Sequence, residues 1–164
     1  MRKIELSELP SKANSALPAN KKFFTKLKKG RVKNLDDRVQ AIHHEVFEET
    51  DCLTCANCCK TTSPIFYQKD IERLSGHFRI APSVFIEKYL HIDEDKDYVL
   101  NSAPCPFLGA DNYCSVYESR PKACREYPHT DRKRFHQILD LTLKNTAVCP
   151  AVFAIVERLK EELG

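Results

Sequence analysis

Four cysteines fall within eight residues, at Cys52, Cys55, Cys58 and Cys59. Two cysteines separated by two residues can turn both sulfurs toward one metal ion across a tight turn. Three in a row at this spacing match the first three ligands of a bacterial ferredoxin run. The adjacent pair is a different signal: because neighbouring side chains diverge, its sulfurs either serve different metals or bridge two metals in one site. The cluster therefore predicts a metal site.

Four more cysteines lie in the C-terminal half of the chain, at Cys105, Cys114, Cys124 and Cys149. Thiolates suit zinc, or iron in iron–sulfur form. Cys105 and Cys149 are each followed by proline, as is the fourth ligand of a ferredoxin run. The spacing leaves two arrangements open. Either Cys52, Cys55 and Cys58 join one remote cysteine around a single cluster, or two four-thiolate sites use all eight.

An even number of cysteines is also compatible with a disulfide framework. The N-terminal residues contain no apolar segment typical of a secretory signal, and no apolar run approaches membrane-spanning length. We therefore expect a cytoplasmic protein with reduced thiols and no membrane partner. In that setting clustered cysteines hold metal more often than disulfides.

The composition limits the classes of function. The chain has 164 residues, which suits one small domain, and only four glycines. A glycine-rich phosphate loop or a dinucleotide-binding turn cannot be built from so few. Binding of a nucleotide or of S-adenosylmethionine through such a loop is therefore disfavoured.

Positive charge is concentrated at the N-terminus. Residues 1–33 contain ten lysines or arginines and two glutamates, whereas the whole chain has a net charge of only +3. Within this segment, residues 21–33 interleave basic and aromatic side chains, a pattern that can meet nucleic acid. We predict a basic, flexible arm over residues 1–33 and a cysteine-cluster metal-binding domain over residues 34–164.

Apolar residues at helical spacing recur through that domain. We predict helices after Asn34, over residues 68–76 with an end at Gly76, from Ser83 to about Leu90, over 121–127, over 133–145 and after Cys149. A short strand is predicted over residues 97–100. Between Cys105 and Cys114, the run Gly109–Asn112 predicts a hairpin with a sulfur at each end. The predicted fold class is mainly α, with a short β-hairpin and an irregular cysteine-rich metal centre.

Together these motifs resemble a known family, the CxxCxxCC zinc- or iron-chelating domain, also called the YkgJ-type cysteine-cluster family. The resemblance covers roughly residues 50–150 and rests on the four-cysteine cluster, on Cys105-Pro106-Phe107-Leu108 and on the run from Cys114 to Pro128. It implies eight candidate metal ligands: Cys52, Cys55, Cys58, Cys59, Cys105, Cys114, Cys124 and Cys149. The chain departs from the common pattern at Ala56-Asn57, where many members have a glycine.

The resemblance implies a bacterial cytosolic protein that binds iron, as an ion or an iron–sulfur cluster, or zinc. Such a protein is expected to handle metal or to transfer electrons, and electron transfer would require a redox partner protein. Flagellin lysine methylases carry a similar cluster, so a protein-modifying enzyme is one alternative, although the chain is much shorter than those enzymes. A zinc-stapled module that binds nucleic acid through residues 21–33 is another. No catalytic residue is predicted.

Overall fold

The computed structural model describes residues 4–30 and 32–164. The chain divides into two compact units: the first combines the segment up to Asp51 with Pro128–Gly164, and the second is Cys52–Tyr127. In chain order the elements are α1 (Leu9–Lys29), α2 (Leu35–Glu48), α3 (Cys52–Cys55), α4 (Asn57–Thr61), α5 (Gln68–Phe78), α6 (Pro82–Tyr89), β1 (Leu90–Ile92), β2 (Tyr98–Leu100), a 3-10 turn (Tyr117–Ser119), α7 (Lys122–Glu126), a second 3-10 turn (Phe135–Ile138), α8 (Leu139–Asn145) and α9 (Pro150–Leu163).

Helix α1 forms where the sequence predicted a flexible arm. Pro10 lies in its first turn, where the missing N–H would have no helical acceptor, and Pro18 lies inside the helix. The buried apolar face of α1 consists of Leu9, Ala13, Phe23, Phe24 and Leu27. Burial of this face holds residues 9–29 in the first unit, which is why they are not a flexible arm. Residues 1–3 and 31 of the predicted arm lie outside the described residues.

The first unit is built on an aliphatic and aromatic core. Helix α2 begins after Asn34, as predicted, although Asn34 has a left-handed backbone (φ 57°) and makes no side-chain cap. Helix α9 begins after Cys149, also as predicted. The predicted helix over residues 133–145 is divided into a 3-10 turn and α8. The main buried core consists of Phe23, Phe24, Leu27, Val39, Ile42, Val46, Phe135, Ile138, Leu139, Ala151, Val152, Ile155, Val156 and Leu159.

The second unit has a smaller core, made by α5, α6 and the sheet. Helix α5 does not end at Gly76 as predicted; it continues to Phe78 and ends at Arg79, whose left-handed φ of 56° reverses the chain. The buried core consists of Phe66, Ile71, Leu74, Phe85, Leu90, Leu100, Phe107 and Val116. Cys105 and Cys114 pack against it, so the cysteine-bearing loops rest on this core.

The predicted strand over residues 97–100 is present as β2, and its partner β1 follows α6 directly. The two strands are antiparallel, with Leu90 opposite Leu100 and Ile92 opposite Tyr98. The Phe66 amide also donates to the Tyr98 carbonyl (2.8 Å), which ties the segment after α4 to this sheet.

The predicted fold class, mainly α with a short β-hairpin, is therefore confirmed. None of the helices within residues 4–30 and 32–164 has the length and apolar character needed to cross a membrane.

Candidate metal centre

Two short helices carry the four clustered cysteines. Helix α3 is a single turn from Cys52 to Cys55, closed by a hydrogen bond from the Ala56 amide to the Cys52 carbonyl (2.8 Å). Ala56 then adopts a left-handed conformation, with φ 46°, and the chain starts α4, which carries Cys58 and Cys59. A side chain at such a φ is strained, whereas glycine is not. This explains physically why a glycine suits the position where this chain has Ala56-Asn57.

Cys105 lies at the start of a tight turn beside the cluster. Its amide donates to the Cys59 carbonyl (2.8 Å), and the Leu108 amide donates to the Cys105 carbonyl (3.1 Å). Burial raises the pKa of the Cys105 thiol, while hydrogen bonds from the Phe107 and Leu108 amides to its sulfur oppose that change. Amides that point at a sulfur stabilise a thiolate, as a metal ligand requires.

A hairpin connects this turn to Cys114, as the sequence predicted. Leu108 pairs with Cys114, and Gly109 donates to the Tyr113 carbonyl (2.8 Å). A second turn follows, in which the Tyr117 amide donates to the Cys114 carbonyl (3.2 Å). Burial raises the pKa of the Cys114 thiol, and a hydrogen bond from the Val116 amide opposes it. Cys105 and Cys114 thus lie in equivalent turns at the two ends of one hairpin.

Cys124 comes from helix α7, where its amide donates to the Pro121 carbonyl (3.0 Å). Burial raises the pKa of its thiol to about 12, and negative charge on Cys59, Cys105 and Cys114 adds to the increase. Like charges raise one another's pKa only when they are near. Four thiols from three separate segments therefore interact electrostatically, and we call Cys59, Cys105, Cys114 and Cys124 the four-thiol group.

Cys59 is the most acidic thiol of the group. A hydrogen bond from the Cys58 side chain lowers its pKa to about 7; burial opposes this, and the charges of Arg120 and Lys60 assist it. A thiol with such a pKa is about half ionised at neutral pH. Cys59 is therefore the member of the group best prepared to bind a cation first.

Arg120 supplies positive charge to the group. Its charge lowers the pKa of Cys59, Cys114 and Cys124. Its Nε donates to the Tyr117 carbonyl (2.8 Å), and its guanidinium carbon lies 3.5 Å from the centre of the Tyr117 ring. The side chain is thus held from two directions beside the four-thiol group.

Among the described residues, no set of three or more Cys, His, Asp or Glu side chains stands in position to hold a metal ion directly. The four thiols interact but do not form a coordination shell. Rotation about χ1 moves a cysteine sulfur without moving its backbone. The chemistry of the donors, four thiols with turn amides and an arginine beside them, fits zinc or iron.

Of the remaining predicted ligands, Cys58 shares α4 with Cys59, and the other three lie on other elements. Cys52 and Cys55 are on α3, and Cys52 is exposed. Cys149 belongs to the first unit, where it is half-buried against the apolar core, and its amide donates to the Asn145 carbonyl (2.8 Å). Ligand roles for all eight cysteines stay predictions.

Sequence reasoning missed two residues near the centre, Asp70 and Arg73. Asp70 is 2% exposed although it is a carboxylate. In the sequence it is indistinguishable from any acidic residue in the first turn of a helix. Only distant contacts reveal the pair: Asp70 accepts from the Lys122 amide, and Arg73 donates to the Ser119 and Arg120 carbonyls, some fifty residues away.

The first unit contains a surface groove of about 760 Å³ between α2 and α9. Two ion pairs lie in it, Arg38–Glu162 (2.6 Å) and Arg158–Glu45 (3.0 Å). It is lined by Asn34, Asp37, Arg38, Ala41, Ile42, Glu45, Arg158, Glu161 and Glu162. No thiol is part of this lining, so the groove is distinct from the four-thiol group.

The chain matches one family model over residues 51–149, that of the CxxCxxCC family, whose description reads "Putative zinc- or iron-chelating domain". The match begins one residue before Cys52 and ends at Cys149, so it spans all eight cysteines. Neither the curated proteins nor the solved structures gave a match. The family match supports a zinc- or iron-chelating role.

Proposed function

The chain belongs to the CxxCxxCC family of zinc- or iron-chelating domains, and from that premise we propose that the four-thiol group of the second unit is its metal centre. The observation that carries the proposal is the backbone pairing of the cysteine-bearing segments: the Cys105 amide donates to the Cys59 carbonyl (2.8 Å), and Leu108 pairs with Cys114. The rise in the pKa of Cys124, to which the charges of Cys59, Cys105 and Cys114 contribute, supports it. Four mutually repelling thiolates are unfavourable alone, whereas a cation at their centre attracts each of them and so favours their deprotonated form. Metal binding then releases the thiol protons.

The surroundings suit a charged metal centre. A divalent ion with four thiolates carries a net charge of −2, which Arg120 partly offsets. The turn amides of Phe107, Leu108 and Val116 point at sulfurs and lower the basicity that a bare thiolate would have. The same four donors serve a single zinc or iron ion or an iron–sulfur cluster. Zinc would make the centre structural, whereas iron would allow electron transfer with a redox partner protein.

Elemental analysis of protein purified without air tests this proposal. Zinc, iron and acid-labile sulfide are measured, with an absorption spectrum, for the native chain, Cys59→Ser and Cys124→Ser. We expect both variants to lose most of the metal, since each leaves only three thiolates of the group. Ala123→Ser is the matched control, because it adds a hydroxyl beside Cys124 and leaves every thiol in place. Full metal content in both cysteine variants would refute the assignment.

A second candidate function, binding of nucleic acid, is favoured by one observation. Helix α1 contains six lysines and no acidic residue, and all six are exposed: Lys12, Lys21, Lys22, Lys26, Lys28 and Lys29. Lys22, Lys26 and Lys29 are four and three residues apart and lie on one face. Such a stripe suits phosphates of a nucleic acid backbone.

The test must change charge and leave the helix intact, because deletion of α1 would also remove Phe23, Phe24 and Leu27 from the core. The triple variant Lys22→Glu, Lys26→Glu, Lys29→Glu is expected to weaken binding of a 20-base-pair DNA and to reduce its salt dependence. The control is a triple change of Lys69, Lys88 and Lys96 to glutamate in the second unit, which alters the net charge by the same amount. Equal loss in both triples would exclude a specific role for α1.

A further inference from the structure

Asp70 is a nearly fully buried carboxylate that accepts hydrogen bonds from two backbone amides and from one arginine. Its Oδ2 accepts from the Tyr67 amide (3.0 Å) at the start of its own helix α5. Its Oδ1 accepts from Arg73 Nη2 (2.7 Å) and from the Lys122 amide (3.0 Å). Burial opposes ionisation, yet the hydrogen bonds from Arg73 and from the two amides hold the pKa of Asp70 below its ordinary value.

Arg73 extends the contacts of Asp70 along the same distant segment. Its Nη2 donates to the Arg120 carbonyl (2.7 Å), and its Nε donates to the Ser119 carbonyl (3.3 Å). Together the two side chains bind three backbone groups of residues 119–122. We call this pair the Asp70–Arg73 clamp.

The clamped segment lies between parts of the proposed metal centre. It follows the turn that begins at Cys114 and leads into α7, which carries Cys124. Its second residue, Arg120, supplies the positive charge beside the thiols. Helix α5 is itself fixed, because Ile71 and Leu74 are fully buried in the core of the second unit. The clamp therefore anchors residues 119–122 to a rigid helix.

We propose that the Asp70–Arg73 clamp positions Arg120 and Cys124 for metal binding. The inference rests on the proposed metal centre and names two residues that touch neither thiol nor metal. An ion pair with one buried partner gives little net stability compared with apolar packing of similar volume. Here its hydrogen bonds hold residues 119–122 against α5. Arg73 also reaches the Asp70 carboxylate and two carbonyls with a planar set of donors that lysine lacks.

A metal-independent measurement tests the clamp first. In the metal-free full-length chain, N-ethylmaleimide labelling rates of Cys124 and Cys105 are compared by mass spectrometry. Asp70→Asn and Arg73→Lys should each accelerate labelling of Cys124 at least threefold relative to Cys105, on the order of half a kcal/mol by RT ln of the ratio. Ile71→Val, which destabilises the same helix from its buried face, should affect both thiols alike. Equal ratios in all variants would overturn the clamp.

A second experiment, the rate of zinc release, tests whether the clamp affects metal binding. The chain is loaded with zinc, and transfer of zinc to a chromogenic chelator is followed. Loss of a residue that orients metal ligands lowers affinity by about 10–100-fold, so we expect release about tenfold faster from Asp70→Asn and Arg73→Lys than from Ile71→Val. Lys69→Gln, an exposed change on α5, should match the native chain. If the native chain binds no zinc or iron, the proposed function fails, and the labelling ratio still decides the clamp.

Discussion

The first unit is held together by long helices with apolar faces, whereas the second unit combines a smaller aromatic core with seven of the eight cysteines. Helix α9 alone buries six residues of the first unit: Ala151, Val152, Phe153, Ile155, Val156 and Leu159. By contrast α3, α4 and α7, all within the described residues, bury none. These three short helices therefore depend on something other than burial of their own apolar side chains.

Bound metal would supply that stability. Helices of four or five residues are not stable by themselves. In the second unit, α5 and α6 rest on an aromatic cluster around Phe85, whose ring centre lies 5.1 Å from that of Tyr89 and 6.2 Å from that of Phe107. We infer that this aromatic cluster stabilises α5 and α6, and that metal orders the cysteine-bearing segments of the same unit.

Removal of metal should have the largest effect and should separate the two units. After anaerobic treatment with a chelator, amide hydrogen exchange is expected to rise at least tenfold in α4, α7 and residues 105–117, since structural metal contributes on the order of 10 kcal/mol to folding. Exchange in α2 and α9 should change little. A uniform change along the whole chain would contradict the comparison.

Core substitutions should have the next largest effect and should distinguish the two units. Phe85→Ala is expected to cost about 3–5 kcal/mol and to reduce metal content, because Phe107 lies in the Cys105 turn. Ile155→Ala, at an equally buried residue of the first unit, is expected to cost about 2–5 kcal/mol with metal content unchanged. Denaturant unfolding and elemental analysis measure both quantities. Metal loss in both variants would show that the centre depends on both cores.

Substitution of Ala56, the left-handed residue between α3 and α4, should have a smaller effect on stability and metal content. Ala56→Val should destabilise the second unit by about 2 kcal/mol and lower its metal content, because a β-branched side chain at a φ of 46° is strained. Ala56→Gly should retain full stability and metal. Ala123→Val, which adds the same two methyl groups within α7, is the control. Equal effects of the two valines would exclude strain as the cause.

The smallest expected effect is a pH dependence in the first unit. Burial lowers the pKa of His43; the charge of Asp131 opposes this and His44 assists it. A histidine with a lowered pKa binds fewer protons in the folded state, so its contribution to stability is lost as the pH falls through 6.5 toward the folded pKa. Because His43 is only half-buried, solvent screening keeps the contribution below about 1 kcal/mol.

Urea unfolding at pH 7.5 and pH 5 measures this contribution. His43→Gln should be more destabilising at pH 7.5 than at pH 5. A destabilisation by His43→Gln that grows toward pH 5 would contradict the sign.

The sequence was most informative where structure is local. Apolar residues at helical spacing predicted α2 and α9, and the turn residues between Cys105 and Cys114 predicted the hairpin. Helix α1 was not predicted, because Pro10 and Pro18 disfavour a helix in a local pattern, although a proline in the first turn costs a helix little. Its burial depends on partners on α8 and α9, which a local pattern does not contain.

The candidate site was only partly predictable for the same reason. The family resemblance implied all eight cysteines as candidates, which include the four-thiol group, but not which of the eight interact. That selection depends on the hairpin, on α7 and on the loop that Asp70 and Arg73 hold. Likewise, the end of α5 at Arg79 requires a left-handed non-glycine residue, which no local rule favours over Gly76.

Differential labelling of the cysteines tests the central claim most directly. The anaerobically purified chain is treated with N-ethylmaleimide with its metal bound and after chelation, and the rate at each cysteine is measured by mass spectrometry. We predict that metal protects Cys59, Cys105, Cys114 and Cys124, and that Cys59 labels fastest of these four without metal, since its pKa is about 7. Equal labelling rates for these four thiols with and without metal would contradict the assignment of the centre.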